Sequence, residues 1–160
     1  MKWLLLGIMF LGSTRLAVGQ QKTLSDVQLK DVAGNTHRLN EYKGKVVLLN
    51  FWGTWCPPCM AEMPDLVRYQ REYKNKGIQF VGITHTSPIR NVRQTMKRFG
   101  VNYPVLIGTS KIFGDFDISD VLPVTIVVDH NGIVRDRIEG FMTPEEFDQK
   151  VKPLLQADRK

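Results

Sequence analysis

Residues 46–59 have the sequence VVLLNFWGTWCPPC, and this stretch predicts the fold class of the 160-residue chain. Its first seven residues form an almost continuous apolar run, which is typical of a strand buried on both faces of a sheet. Gly53, Thr54 and Trp55 then turn the chain, and Cys56 stands where a helix would begin. Two prolines follow, and proline suits the first helical turn because a missing N–H group costs little there. The stretch therefore predicts a strand, a tight turn and a helix that begins at a cysteine pair.

The flanking sequence extends this unit into an α/β fold. Apolar residues recur at helical or strand spacing on both sides of it. Before it, this spacing predicts a short hairpin at 27–39. After it, the predicted elements are a helix at 60–76 kinked at Pro64, a strand at 78–84, a helix at 89–99, an extended piece at 103–107 and a loop or short helix at 110–118. A further hairpin turns at Asn131-Gly132, and a last helix is capped by Thr143 and Glu146 and disturbed at Pro153. This order predicts a central mixed sheet flanked by helices, with an N-terminal β-hairpin extension.

The N-terminus has the pattern of an export signal. Lys2 precedes an apolar run of about 10 residues, and small residues at Ala17 and Gly19 suit cleavage after residue 19. Because Arg15 lies close to this cut site, an uncleaved anchor formed by residues 3–12 is the alternative. We therefore expect residues 1–19 to be a signal peptide or N-terminal anchor and residues 20–160 to be one domain. The location expected is the periplasm or another extracytoplasmic space, with membrane contact only if the segment is uncleaved.

Composition excludes some classes of function. Hydrophobic residues make up 42% and charged residues 24% of the chain, which is ordinary for a globular protein. The net charge of +6 comes from scattered Lys and Arg residues without a basic stripe, which argues against a dedicated nucleic-acid binder. Only two cysteines are present, so the fold is not stapled by disulfides.

A Cys-x-x-Cys motif has three possible interpretations: half of a zinc site, a haem attachment point or a redox pair. Zinc needs about four ligands, but there is no second cysteine pair, and the three histidines show no ligand spacing. Haem attachment needs a histidine directly after Cys59, where Met60 stands instead. The redox pair is favoured, and we expect no metal or other cofactor.

The position of the pair suggests a role for each cysteine. Cys56 at a helix N-terminus is predicted to be the exposed nucleophile, because the helix dipole and free N–H groups favour a thiolate. When Cys56 attacks a disulfide of a partner protein, the two proteins become joined by a mixed disulfide. Cys59, one turn into the helix, is predicted to attack this bond and release the partner. Pro57 and Pro58 stiffen the loop but remove two N–H donors. We therefore expect only a moderately lowered Cys56 pKa and a reducing couple.

Residues 44–59, together with Glu62-Met63-Pro64, resemble the thioredoxin superfamily. More narrowly, they are similar to the exported TlpA/ResA type, which includes cytochrome c maturation thioredoxins. The similarity runs from about Val27 to Leu155 and implies a thioredoxin-like fold.

The resemblance implies further site residues. Pro123, after Leu122, matches the cis-proline that faces the active-site disulfide and lets a partner's backbone pair beside it. Trp55 would shield the disulfide, although a core aromatic is the alternative. Glu62 matches an acid that tunes the proton affinity of the thiols, although an exposed helix glutamate is the alternative. Asn50 replaces the titrating Asp of cytoplasmic thioredoxins, which leaves that role vacant.

The function expected from the resemblance is a disulfide reductase of the cell envelope. Its clients would be disulfide-containing proteins such as apocytochrome c, and a membrane thiol-reducing protein would supply its electrons. The alternatives are a disulfide-forming oxidant or isomerase, a thiol peroxidase and a non-catalytic binding module.

Overall fold

The computed structural model describes residue 24, residues 27–119 and residues 121–156. The predicted signal peptide at 1–19 and the alternative anchor at 3–12 lie outside these residues. Among the helices that the structure does describe, none has the length and apolar character needed to cross a membrane.

Seven strands and five α-helical segments make up the described fold. The strands are β1 Gln28–Asp31, β2 Thr36–Arg38, β3 Val46–Trp52, β4 Ile78–Thr84, β5 Val105–Ile107, β6 Val124–Val128 and β7 Val134–Glu139. The α-helices are α1 Pro57–Tyr73, α2 Ile89–Phe99, α3 Ser110–Asp115, α4 Pro144–Glu146 and α5 Lys152–Gln156. Short 3-10 turns lie at Leu39–Tyr42 and Lys74–Lys76, and a π-helical turn lies at Phe147–Val151.

The strands form one mixed sheet in the order β2-β1-β5-β4-β3-β6-β7. β3 and β4 are parallel, as are β4 and β5, whereas the remaining neighbours are antiparallel. The N-terminal hairpin joins the sheet where Lys30 of β1 pairs with Ile107 of β5. The predicted mixed sheet with a hairpin extension is confirmed.

β3 lies at the centre of the core, and all seven of its residues are buried. Successive side chains point to opposite faces of a strand. Leu48 accordingly packs in one hydrophobic cluster with α1, and Leu49 packs in a second cluster on the other face with α3. This central position directs the turn after β3, and therefore the start of α1, to the end of the sheet where β6 begins.

The last helical region differs in detail from the single helix predicted. The Thr143–Glu146 capping box is present, with the Thr143 hydroxyl accepting from the Glu146 N–H. The disturbance predicted at Pro153 takes the form of the π-helical turn Phe147–Val151, which directly precedes α5. Proline has no N–H and its ring crowds the carbonyl four residues back, so a wider turn relieves both problems.

Candidate active site

Cys56 and Cys59 form a disulfide at the start of α1, with a Cα–Cα distance of 5.3 Å. Cys56 is the N-cap residue, and Pro57 and Pro58 fill the first two helical positions. The first backbone N–H of the helix therefore belongs to Cys59, and it points to Cys56 Sγ at 3.3 Å. Of the donors that a helix start normally offers to its cap, this site retains one.

The expectation that Cys56 is exposed is wrong for this disulfide form. Cys56 is only 3% exposed, and Cys59 is also buried. The Cys56 sulfur is bonded to Cys59 and lies 3.5 Å from the carbonyl oxygen of Leu122, so two neighbours cover it. Leu122 therefore forms one edge of the site at Cys56.

The Leu122–Pro123 peptide bond is cis. Pro123 lies directly before β6, which pairs with β3, and its carbonyl accepts a hydrogen bond of 2.8 Å from the Gly140 N–H. The register Phe51↔Val124 brings this loop to the end of β3 that leads into the cysteine pair. Sheet pairing thus places Leu122 and Pro123 beside the disulfide, although they are more than 60 residues away in sequence.

Trp55 is 53% exposed, so the alternative that it is a core aromatic is wrong. Two contacts, one with Ser87 and one within the turn at Gly53, define the conformation of the turn that carries Trp55. The Thr54 N–H donates to Ser87 Oγ at 3.0 Å, and the Trp55 ring lies so close to Gly53 that a Cβ there would meet it at 2.8 Å. Gly53 is therefore required for this position of the indole next to Cys56.

Glu62 is 1% exposed, so the alternative of an exposed helix glutamate is also wrong. Its Oε1 accepts from the Met142 N–H at 2.8 Å, and its Oε2 accepts from Asn50 Nδ2 at 3.2 Å. Asn50 Nδ2 also donates to Thr125 Oγ1 at 3.0 Å. Burial raises the pKa of Glu62 to about 7, against the opposing effect of the hydrogen bonds from Met142 and Asn50. The carboxyl group one turn beyond Cys59 is therefore able to gain or lose a proton near neutral pH.

Sequence reasoning did not identify Thr125 and Met142 as partners in this network. The sequence could have indicated Thr125, because it is a polar residue within the apolar run of a fully buried strand. The sequence could not have indicated Met142, because it contributes a backbone N–H that every non-proline residue carries.

Two of the histidines have hydrogen-bond partners other than the cysteines. His37 contacts Asp31 and Glu41 in the N-terminal hairpin region, and His85 Nδ1 lies 3.1 Å from the Gly108 carbonyl oxygen. Across the described part of the chain, no group of three or more His, Cys, Asp and Glu residues is arranged to hold a metal ion.

Comparison with known proteins matches residues 20–137 to the AhpC/TSA family. The chain belongs to this family. It is 36% identical over 146 residues to the thiol-disulfide oxidoreductase ResA of Geobacillus kaustophilus, a match that covers 91% of this chain and 82% of ResA. It is also 37% identical over 136 residues to the thioredoxin-like protein YneN of Bacillus subtilis, covering 83% of this chain and 78% of YneN.

A solved structure shows similarity in both fold and sequence. A thiol:disulfide interchange protein of the thioredoxin family from Chlorobium tepidum superposes with a TM-score of 0.77 at 32% identity. The match covers 87% of this chain and 99% of that one. The expected resemblance to thioredoxin-like proteins of the ResA type is confirmed. The chain is a thioredoxin-like oxidoreductase in which Cys56 and Cys59 form a disulfide.

Proposed function

We propose that this protein is a thiol–disulfide oxidoreductase of the cell envelope that reduces disulfides in client proteins. The observation that carries the proposal is the Cys56–Cys59 disulfide at the start of α1, beside the carbonyl of Leu122. A redox pair at this place can exchange with a disulfide that approaches along the Leu122 edge.

The reaction begins with both cysteines reduced. The Cys56 thiolate attacks one sulfur of the client disulfide, and the other client sulfur leaves as a thiolate and takes up a proton. Cys59, as thiolate, then attacks the Cys56 sulfur and releases the second client sulfur, which is also protonated. Two electrons pass to the client, and the protein is left with the Cys56–Cys59 disulfide. A membrane thiol-reducing protein would restore the dithiol for the next cycle.

The first turn of α1 supports reduction as the direction of this exchange. A strongly oxidising pair depends on a nucleophilic thiolate that its surroundings stabilise in the reduced form. Here Pro57 and Pro58 offer no N–H groups, and the single N–H of Cys59 is the donor that remains to Cys56 Sγ. Limited stabilisation of the thiolate makes the disulfide form relatively favourable, so the dithiol is a good reductant.

Glu62 is a titratable group in the same helix as the redox pair. It lies on the same face of α1 as Cys59, three residues further on, and its pKa of about 7 allows both protonation states near neutral pH. When ionised, the carboxylate disfavours a second negative charge nearby and so raises the pKa of a neighbouring thiol. The proposed role of Glu62 is to tune the pKa of the thiols.

The client and the location are proposed from the resemblance to the ResA type. An apocytochrome c, whose haem-binding cysteines must be reduced before haem attaches, is the proposed client. The segment 1–19 supports export, and a fusion of this segment to a reporter active only outside the cytoplasm tests it directly.

The decisive measurement is the reduction potential of the Cys56–Cys59 couple in redox buffers. We expect a value at or below about −220 mV, toward the thioredoxin end of the range. A value near about −120 mV would match a strong oxidant and would reverse the proposed direction.

The roles of the two cysteines are tested by trapping. The Cys59→Ser variant should accumulate a mixed disulfide through Cys56 when mixed with a model disulfide, since nothing resolves it. The Cys56→Ser variant should form far less. Equal trapping by both variants would contradict the assignment of Cys56 as nucleophile and Cys59 as resolving cysteine. If the variant with both Cys56→Ser and Cys59→Ser kept the function of the wild type, the protein would be a non-catalytic binding protein.

A further inference from the structure

A cavity of about 260 Å³ lies at the same end of the molecule as the disulfide. It opens between the turn before Cys56, the loop after β4, helix α3 and the segment before Pro123. The residues of this side pocket that matter below are Trp55, His85, Thr86, Phe113, Gly114 and Leu122.

The walls of the side pocket include aromatic rings that are held in place. Phe113 stands edge-on to the buried Phe51, with ring centroids 5.1 Å apart and an interplanar angle of 90°. The His85 ring lies 5.2 Å from Phe113, and its Nδ1 is hydrogen-bond distance from the Gly108 carbonyl. These contacts fix an aromatic surface that a guest ring can stack on or meet edge-on.

The side pocket is continuous with the place where a client must bind. Leu122 lines the pocket, and its carbonyl oxygen is 3.5 Å from Cys56 Sγ. Trp55 also lines the pocket and directly precedes Cys56 in the chain. A client cysteine bonded to Cys56 therefore places its neighbouring residues at the mouth of the pocket.

The loop at the rim is conformationally strained. Thr86 has a φ of 57°, and a β-branched residue in the left-handed region is uncommon because it is sterically unfavourable. Such strain is concentrated at sites of function, where the surrounding structure maintains it. Thr86 lies between His85 and Ser87, and the Ser87 hydroxyl accepts a hydrogen bond from the Thr54 N–H.

The volume of the side pocket and the charge of its lining residues indicate which kind of side chain it can bind. A cavity of about 150 Å³ is enough to hold benzene. At about 260 Å³, the side pocket accommodates one large aromatic side chain but not a length of peptide chain. Among the described residues that line it, none is Asp, Glu, Lys or Arg, which suits an uncharged guest.

We propose that the side pocket binds a large aromatic side chain adjacent to the client cysteine that Cys56 attacks. This inference rests on the proposed function and specifies its substrate class. Clients with an aromatic residue next to the reactive cysteine are reduced faster than clients with a small residue there.

Symmetric disulfides of short blocked peptides test the proposal. Peptides carry Phe, Leu or Ala on one or the other side of the cysteine, and each rate is normalised to reduction of the same peptide by dithiothreitol. The fully reduced protein is mixed with excess peptide disulfide in a single turnover, so no added reductant is needed. In one of the two orientations, we expect the Phe peptide to react about tenfold faster than the Ala peptide, with the Leu peptide between them.

Two variants connect this preference to the side pocket. Gly114→Leu fills it, and a Cβ at Gly114 has no neighbour within 4 Å, so the fold should tolerate the change. Phe113→Ala removes the aromatic wall instead. Both should bring the Phe peptide close to the rate of the Ala peptide while leaving the Ala peptide unchanged. Phe141→Ala, at an exposed residue that does not line the pocket, is the matched control and should keep the preference.

The outcomes separate this inference from the proposed function. If the Ala peptide is reduced but the Phe peptide is no faster, the reductase function stands and the side pocket proposal fails. A preference that persists in both Gly114→Leu and Phe113→Ala would also overturn it. If the reduced protein reacts with no peptide disulfide, the proposed function itself fails, and the inference fails with it.

Discussion

Glu62 shows how two opposing effects set the charge of one buried group. Hydrogen bonds from the Met142 N–H and Asn50 Nδ2 favour the carboxylate, whereas removal from water favours the neutral acid. Its pKa is raised to about 7, so desolvation is the larger effect. Folding therefore raises the proton affinity of the Glu62 carboxyl group.

This raised pKa makes stability depend on pH in a defined direction. Below pH 4.5, the ordinary pKa of the group, Glu62 is protonated in both folded and unfolded chains, and its contribution is fully present. As pH rises from there to about 7, the unfolded chain ionises first, and the contribution of Glu62 to the free energy of unfolding falls by roughly 3 kcal/mol. Glu62→Gln should remove this decrease, as measured by denaturant unfolding of the oxidised protein across this range.

The control for that experiment is Glu145→Gln, at an exposed residue in α4. It changes the same chemical group without changing a buried one, so the pH dependence of the wild type should persist. A decrease that is equally steep in Glu62→Gln would show that another group is responsible.

Pro58 controls the number of donors available to Cys56. It occupies the second helical position, from which an N–H normally reaches the cap residue. Pro58→Ala restores that N–H, and we expect the Cys56 pKa in the reduced protein to fall by about one unit, since hydrogen bonds to charged groups are strong. Thiolate absorbance as a function of pH measures the change.

Pro144→Ala is the matched comparison, because Pro144 also occupies a first helical turn but at the start of α4. It should leave the Cys56 pKa unaltered. An unchanged Cys56 pKa in Pro58→Ala would mean that missing donors do not explain the reducing character proposed for the couple.

The start of α4 is capped by a reciprocal pair of side chains. Thr143 accepts from the Glu146 N–H at 3.2 Å, and Glu146 reaches back to the Thr143 N–H at 3.1 Å. Thr143→Ala removes the hydroxyl, and we expect the free energy of unfolding to fall by about 1 kcal/mol. Thr143→Ser retains the acceptor and should recover most of this loss in the same denaturation experiment; an equal loss in both variants would argue against capping as the cause.

The two faces of the central strand divide the core of the whole molecule into two clusters. Leu48 belongs to one and Leu49 to the other, and both are fully buried. Leu48→Ala and Leu49→Ala should therefore each cost about 3 kcal/mol, because each leaves a cavity in a packed layer. A strand with one wet face would show the loss at only one of them.

Val134→Ala provides the comparison within the same sheet, since Val134 lies on the edge strand β7 and is only partly buried. We expect a loss below about 1.5 kcal/mol, measured by denaturant unfolding. A cost at Val134 equal to that at the two leucines would contradict the layered core.

Local sequence determined the elements and the redox pair. The apolar run at 46–52, the prolines after Cys56 and the Thr143–Glu146 pair each act on residues within a few positions, so their patterns predict a strand, a helix start and a cap. The mixed sheet followed from the order of these elements. The C-x-x-C spacing at a strand–helix junction likewise identified the chemistry, because both reacting sulfurs lie on one helical turn.

Tertiary structure decided the surroundings of that pair. Glu62 is buried because Met142 and Asn50, 80 and 12 residues away in sequence, close over it. Cys56 is covered because the sheet brings Leu122 against its sulfur, whereas Trp55 remains exposed. Burial, desolvation and the shape of the side pocket arise from residues that only chain folding brings together, so the protonation of Glu62 and the access to Cys56 are properties of the folded molecule.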